Sequence, residues 1–120
     1  MGEDSLSFRP MNRRRIADWY GAPLMFQSGQ TVGIACEIQS GAFSNEYLVS
    51  IVTEEGILSG FADQSNVHED PKNPGRGTIR ATVVGVASDQ VKVRIYGSFF
   101  TIAAGMMQFS SSWAQTHIRA

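Results

Sequence analysis

The most regular pattern along the chain is a period-two alternation of apolar residues with small or polar ones. In the segment 31–39, Val32, Ile34, Cys36 and Ile38 occupy every second position. Side chains at every second position of an extended strand point to the same face. The pattern therefore predicts a half-buried β-strand.

A predicted hairpin over residues 78–96 is the clearest pairing of strands. The segment 78–86 is rich in β-branched residues, which favour a pleated surface. The segment 91–96 alternates between aliphatic residues and the basic Lys92 and Arg94. Because only a short polar turn separates the two segments, they are expected to pair as adjacent antiparallel strands.

Three further segments predict strands, at 46–53, 57–61 and 99–104. The first has apolar residues on both faces, which favours a position between two other strands. The last also fits helical spacing, because apolar residues recur there at intervals of three and four. The Phe99–Phe100 pair and the interruption at Gly105 favour a strand.

The two ends of the chain differ from this pattern. Residues 1–11 are polar and are expected to form a flexible arm, and residues 114–120 a tail. Between them, 12–113 is expected to be a single β-rich domain. It begins with a short helix at 13–20, capped by Asn12 and ended by Gly21. We expect a mainly β fold, a small antiparallel barrel or strongly bent sheet of six to seven short strands with one short N-terminal helix. An open α+β sheet is the alternative.

Composition supports this prediction and limits the chemistry. The 120 residues contain nine Val and nine Ile but four Leu and two Lys, and they carry a net charge of −1. That charge excludes strong overall attraction to nucleic acid or to an anionic membrane. The lone cysteine, Cys36, excludes an intrachain disulfide and argues against a thiolate metal site. With no secretory signal and no long apolar run, we expect a cytoplasmic protein without membrane association.

Common catalytic motifs are absent from the sequence. It has no Walker-type phosphate loop, no G-x-S-x-G turn and no H-E-x-x-H helix. We therefore assign no catalytic residue and expect neither a cofactor nor a metal. The polar stretch 63–77 is expected to be a long loop, and loops of this length often carry function. Its candidate site residues are His68, Glu69, Asp70 and Arg76.

Two other sets of residues suggest binding. The first is basic and would contact nucleic-acid phosphates beside the aromatic residues Trp19 and Tyr20: Arg13, Arg14, Arg15, Lys92 and Arg94, with Arg76 and Arg80 as extensions. The second is an apolar cluster in the last quarter of the chain, of residue types enriched at interfaces: Phe99, Phe100, Met106, Met107, Phe109 and Trp113.

These observations leave three functional hypotheses. The first is a non-enzymatic binding or assembly module, which forms a homo-oligomer through the apolar cluster and holds a small apolar ligand. The second is a small nucleic-acid-binding barrel that uses the basic set. The third is an enzyme with His68 as an acid or base.

Overall fold

The computed structural model describes residues 26–100, 102 and 105–120. The predicted N-terminal arm, the helix at 13–20 and the arginines Arg13, Arg14 and Arg15 lie outside these residues. In the described part the elements are, in chain order, β1 (Thr31–Ser40), β2 (Glu46–Thr53), β3 (Gly56–Asp63), a 3₁₀ turn (Gln64–Asn66), β4 (Val67–Glu69), β5 (Arg76–Val86), β6 (Gln90–Ile95), β7 (Ser98–Phe99), β8 (Met106–Ser110), α1 (Ser111–His117) and β9 (Ile118–Arg119).

The strands form one antiparallel sheet that curls into a half-barrel. Its order is β7–β3–β2–β1–β5–β6–β8, and the short strands β9 and β4 pair with β1 and β5 respectively. The prediction of a mainly β, strongly bent antiparallel sheet is confirmed. Among the described residues the α-helix is α1, which lies near the C-terminus, directly after β8.

The hydrophobic core lies against one face of this sheet. The alternating residues of β1 are buried, as the sequence predicts, with Ile34 fully so and Cys36 8% exposed. The predicted hairpin is confirmed by the pairing of β5 with β6, which is interrupted by a bulge between Val83 and Gly85. The three inward residues of β6, Val91, Val93 and Ile95, are at most 2% exposed.

Strand β2 lies between β1 and β3, which agrees with the central position that its two apolar faces favour. Its inward residues Val49 and Ile51 are fully buried, but Val52 on the other face is 56% exposed. Within the predicted strand 99–104, Phe99 belongs to β7, whereas the other described residues, Phe100 and Ile102, lie in bends. The next strand, β8, begins only at Met106.

The polar stretch 63–77 is more ordered than the loop that the sequence predicts. It contains the 3₁₀ turn and strand β4, which pairs with β5 from Val67↔Ile79 to Glu69↔Gly77. A Cβ atom at Gly77 would collide with the carbonyl oxygen of His68. The glycine therefore permits the close approach of β4, a tertiary contact that polarity alone does not reveal.

The C-terminal residues 114–120, expected as a tail, instead contain most of α1 and the strand β9. Ser110 caps the helix, because its side chain accepts a hydrogen bond from the backbone N–H of Trp113. Ala114 is fully buried and Ile118 is 1% exposed, so the segment belongs to the core. Burial of these few apolar side chains holds a helix of seven residues that is too short to be stable alone.

Candidate functional site

A groove opens on the face of the sheet opposite the core, where the outer strands diverge from the central pair β1 and β5. One edge of β1 pairs with β2 at residues 37–40 and with β9 at residues 33–34. The carbonyl of Val52, near the end of β2, accepts a hydrogen bond of 3.2 Å from the indole Nε1–H of Trp113. The helix α1 therefore separates β2 from β9. On the other side, β4 and β6 divide the free edge of β5 in the same way.

The groove has a volume of about 750 Å³ and is lined mostly by polar side chains. Its floor includes the small residues Ala35 and Thr78. Both histidines of the chain line it, together with two arginines and two carboxylates. We call this site the histidine groove and define it by Ala35, Glu37, His68, Asp70, Arg76, Thr78, His117 and Arg119.

The strand register places the two histidines at opposite ends of one row. Thr78 is the cross-strand partner of both Ala35 on β1 and His68 on β4. His117 directly precedes Ile118, the partner of Ile34, so it stands beside Ala35. Neighbouring strands are separated by about 4.8 Å, so the two histidine Cα atoms are about 14 Å apart across the floor. Both side chains line the groove between these positions.

The imidazole of His117 is held in one orientation. Its ring stacks on Trp113 with centroids 4.2 Å apart, and Trp113 stacks on Phe109 at the same distance. Its Nδ1 lies 2.9 Å from the carbonyl oxygen of Trp113 and 2.8 Å from the hydroxyl of Thr116. A carbonyl oxygen only accepts hydrogen bonds, so Nδ1 carries the proton. In the neutral ring the lone pair is therefore on Nε2.

His68 differs from its neighbours in the sequence, which were grouped with it as loop candidates. Glu69 is outside the groove lining, and its carboxylate accepts a hydrogen bond of 2.8 Å from the backbone N–H of Gly75. The carboxylate of Asp70 accepts hydrogen bonds from the Lys72 backbone and the Asn73 side chain, both at 2.9 Å. These bonds lower the pKa of Asp70, and the nearby charges of His68 and Arg119 lower it further. Both carboxylates therefore stabilise the turn after β4.

Four side chains that face the groove keep hydrogen-bonding capacity for a ligand. Within the described residues, no hydrogen bond to protein engages the side chains of His68, Arg76, Thr78 or Arg119. Arg76 stands opposite Glu37 in the register of β5 and β1. The groove thus combines unused donors with a balanced set of formal charges.

The arginines of the groove belong to a larger basic surface. In β5 and β6 the basic residues alternate with buried aliphatic ones, so they all point away from the core. Arg80 stands opposite Gly33, whose other partner is Arg119, and Arg94 stands opposite Thr82. Five of the six lysines and arginines of the described residues lie on this surface. We call it the basic face: Arg76, Arg80, Lys92, Arg94 and Arg119.

An aromatic ring lies within the basic face. The guanidinium carbon of Arg80 is 5.9 Å from the centroid of the Tyr96 ring, which is within cation–π range. The Tyr96 hydroxyl is 2.8 Å from that of Thr82, and this contact orients the ring. Tyr96 was not among the residues singled out from the sequence. Its position at the end of an alternating strand that carries Lys92 and Arg94 on the same face is the signal that identifies it.

The apolar cluster of the last quarter is divided between the core and the surface. Phe99, Phe109 and Trp113 are buried, at 8%, 3% and 7% exposure. Met106 and Met107 are half-buried on β8. Phe100 is 66% exposed and packs edge-on against Phe61, with ring centroids 5.7 Å apart.

The thiol of Cys36 lies on the core side of β1. Burial raises its pKa to about 12. A thiol in this state is a poor nucleophile at neutral pH, because the thiolate is the reactive form. Among the residues that the structure describes, no group of three or more His, Cys, Asp or Glu side chains is arranged to hold a metal ion.

No protein-family model, curated protein or solved structure matches this chain. Among the residues that the structure describes, no helix has the length and apolar character needed to cross a membrane.

Proposed function

We propose that the protein binds single-stranded nucleic acid, with phosphates along the basic face and one phosphate in the histidine groove. The observation that carries the proposal is the presence of five of the six described lysines and arginines on one face of the sheet. The net charge of −1 conceals this asymmetry. Most of the described acidic residues lie in turns or on β2 and β3, and only Glu37 and Asp70 adjoin the basic side chains in the groove.

The chemistry of the face favours an unpaired strand. Guanidinium groups neutralise phosphates and form paired hydrogen bonds with them. The exposed part of the Tyr96 ring offers a surface on which an unpaired base can stack. Partly open small β-barrels bind oligonucleotides on a face of the sheet.

Binding to a labelled single-stranded oligonucleotide, measured by fluorescence anisotropy over a range of salt concentrations, tests this proposal. The logarithm of the association constant is expected to fall with the logarithm of salt concentration, with a slope of about −0.7 for each phosphate contacted. Arg80→Ala and Arg94→Ala are each expected to weaken binding and to make that slope shallower by about one contact.

Lys72→Ala is the matched control. Lys72 is the one described basic residue away from the basic face, and it is exposed in the turn after β4. Its removal changes the net charge by the same amount as removal of Arg80 but is expected to leave the salt slope unchanged. Equal losses in the Lys72 and Arg80 variants would show that net charge alone drives binding and would overturn the proposed interface. Absence of binding at low salt would overturn the function.

Self-association is a second candidate, and a different part of the same face supports it. Val52 and Ile57 stand opposite each other on β2 and β3, and they are 56% and 69% exposed. Phe100 extends this apolar area beside Phe61. Light scattering of the purified protein is expected to show an oligomer that Phe100→Ser weakens. The control is Val86→Ser, which removes an exposed side chain from the far end of β5. A monomer at high protein concentration would rule this candidate out.

A cytoplasmic location is part of the proposal. The single thiol is buried and unpaired, and the core is held without a disulfide among the described residues. This is the usual condition of proteins in a reducing compartment.

A further inference from the structure

We infer that the histidine groove cleaves the single-stranded RNA that it binds, with His117 and His68 as the base and the acid. The inference rests on the proposed function, because the strand must first lie on the basic face. It goes beyond that function by assigning a reaction and a substrate class. The observations behind it are the opposition of the two histidines and the orientation of one of them.

His117 has the tautomer that a general base requires. Its Nδ1 proton is donated to the Trp113 carbonyl and the Thr116 hydroxyl, so the lone pair of the neutral ring is on Nε2. The stack on Trp113, with ring planes 3° from parallel, fixes the plane of the imidazole, and the hydrogen bonds of Nδ1 fix which way the ring faces within that plane. The two contacts correspond to the orienting hydrogen bond that fixes the tautomer of catalytic histidines in other folds.

His68 lies at the other end of the row. It is exposed on β4, and no hydrogen bond to protein within the described residues occupies its ring. The floor between the two histidines is formed by Ala35 and Thr78, whose short side chains leave space for a phosphate. Arg76 and Arg119 also line the groove, so a phosphate there meets two guanidinium groups between an acid and a base.

RNA supplies the reacting groups by itself. His117 Nε2 removes the proton of the ribose 2′-hydroxyl, and the 2′-oxygen attacks the adjacent phosphorus. The bond from phosphorus to the 5′-oxygen of the next nucleotide breaks, and protonated His68 delivers a proton to that oxygen. The products are a 2′,3′-cyclic phosphate and a free 5′-hydroxyl, and no redox partner or metal ion is consumed. Arg76 and Arg119 stabilise the extra negative charge of the transition state.

The rate is expected to depend on pH as a bell-shaped curve, because one histidine must be neutral and the other protonated. The other charged groups that face the groove are Glu37 on β1, Arg76 on β5, Asp70 after β4 and Arg119 on β9. The hydrogen bonds from Asn73 and Lys72 keep the pKa of Asp70 below its usual value. Asp70 is therefore ionised on both sides of the bell.

The test uses the full chain and two oligonucleotides of one sequence, one all RNA and one with a single deoxyribose at the cleavage position. Both are expected to bind equally, but only the RNA is expected to be cut, with a cyclic phosphate detected by mass spectrometry. His68→Ala and His117→Ala are each expected to lower kcat by at least about 100-fold with little change in Kd.

A Ser88→Ala variant, changed in the exposed turn between β5 and β6, is purified in parallel and is expected to keep full activity. This control shows that making and purifying a variant does not by itself remove the activity, whereas a contaminating nuclease would cut RNA equally in every preparation, including those of the histidine variants. Because His117→Ala also removes a stacked ring, the His68 variant serves as the second test, since His68 is exposed and its loss leaves the core intact.

The outcomes distinguish failure of the catalytic inference from failure of the proposed binding function. RNA that binds but stays intact, or cleavage that persists in both histidine variants, would overturn the catalytic inference and leave the binding function standing. Failure of both oligonucleotides to bind would overturn the proposed function itself. A product with a free 3′-phosphate and no cyclic intermediate at early times would also contradict the mechanism.

Discussion

The two walls of the histidine groove are built in opposite ways, although each brings one histidine to the same floor. The wall formed by α1 and β9 is held by burial: Trp113 is 7% exposed, Ala114 is fully buried and Ile118 is 1% exposed. The wall formed by β4 and its flanking turns has no fully buried side chain. It is held by backbone pairing with β5 and by the carboxylates of Asp63, Glu69 and Asp70.

Because the two walls are held in different ways, they are expected to respond differently to mutation and to pH. Apolar burial depends on packing and is insensitive to moderate changes in pH. Hydrogen bonds from backbone N–H groups to exposed carboxylates are strongest when the carboxylate is ionised, and they involve little buried apolar surface. We therefore expect the α1 wall to be the more stable and to fix His117, while the β4 wall can adjust His68 to a ligand.

The largest expected effect is on the α1 wall. Trp113→Ala removes the centre of the Phe109–Trp113–His117 stack and is expected to lower the free energy of unfolding by about 3–5 kcal/mol. Trp113→Phe keeps an aromatic ring but loses the hydrogen bond to the Val52 carbonyl, and is expected to cost about 1 kcal/mol. Urea denaturation measures both. Equal losses for the two variants would show that the stack contributes little and would break the comparison.

A smaller effect is expected on the β4 wall. Gly77→Ala introduces a Cβ that collides with the backbone of β4 at His68, so the strand must move away from β5. We expect a loss of about 1–3 kcal/mol and faster hydrogen exchange at residues 67–69. The control is Gly85→Ala, also in β5, where an added Cβ would have no atom within 4 Å. If exchange at 67–69 stays slow in the Gly77 variant, β4 is not held by this close approach.

The smallest expected difference between the two walls is in their loss of protection at low pH. Hydrogen bonds from Ser65 lower the pKa of Asp63, and those from Asn73 and Lys72 lower that of Asp70, from the ordinary value of 3.8. A lowered pKa in the folded state stabilises the protein above the unfolded value, and this contribution is lost as the pH falls through the folded value. Below pH 3.8 the amides of residues 64–75 should therefore lose protection before those of α1.

Hydrogen exchange followed by mass spectrometry, corrected for the intrinsic effect of pH, tests this order of opening. Asp70→Asn keeps the shape of the side chain but removes its charge, and it should reduce the acid dependence at residues 70–76. The α1 wall is the internal reference, because neither α1 nor β9 contains a carboxylate side chain. Simultaneous loss of protection in both walls would show that the groove opens as one unit.

Much of the sheet could be predicted from the sequence, because the alternation of residues within a strand shows which of its faces is buried. The alternation at 31–39 and at 91–96 identifies which residues face the core, and the structure confirms both. The same alternation placed Lys92 and Arg94 on the outer face. The C-terminal segment was predicted less well, because residues 114–120 contain a single large apolar side chain, Ile118, within a mostly polar segment.

The residues that line the groove could not be grouped from the sequence, because they are distant from one another along the chain. His68 and His117 are 49 positions apart, and nothing in the pattern around either one indicates the other. The sequence groups His68 with its neighbours Glu69 and Asp70, yet those carboxylates accept hydrogen bonds within the turn after β4. The side chain across the groove from His68 is that of His117, near the C-terminal end of the chain. Adjacency in sequence gives little information here, since successive residues of a strand point to opposite faces.

From the amino-acid sequence alone it was possible to predict the central strands, their buried face and the basic character of the opposite face. Those properties follow from periodicity, which is local and needs no knowledge of partners. The tertiary structure was needed to show that β9 and β2 share one edge of β1, that β4 and β6 share one edge of β5, and that two histidines line the resulting groove. Strand pairing is set by long-range packing and register, and no single segment of the chain encodes it.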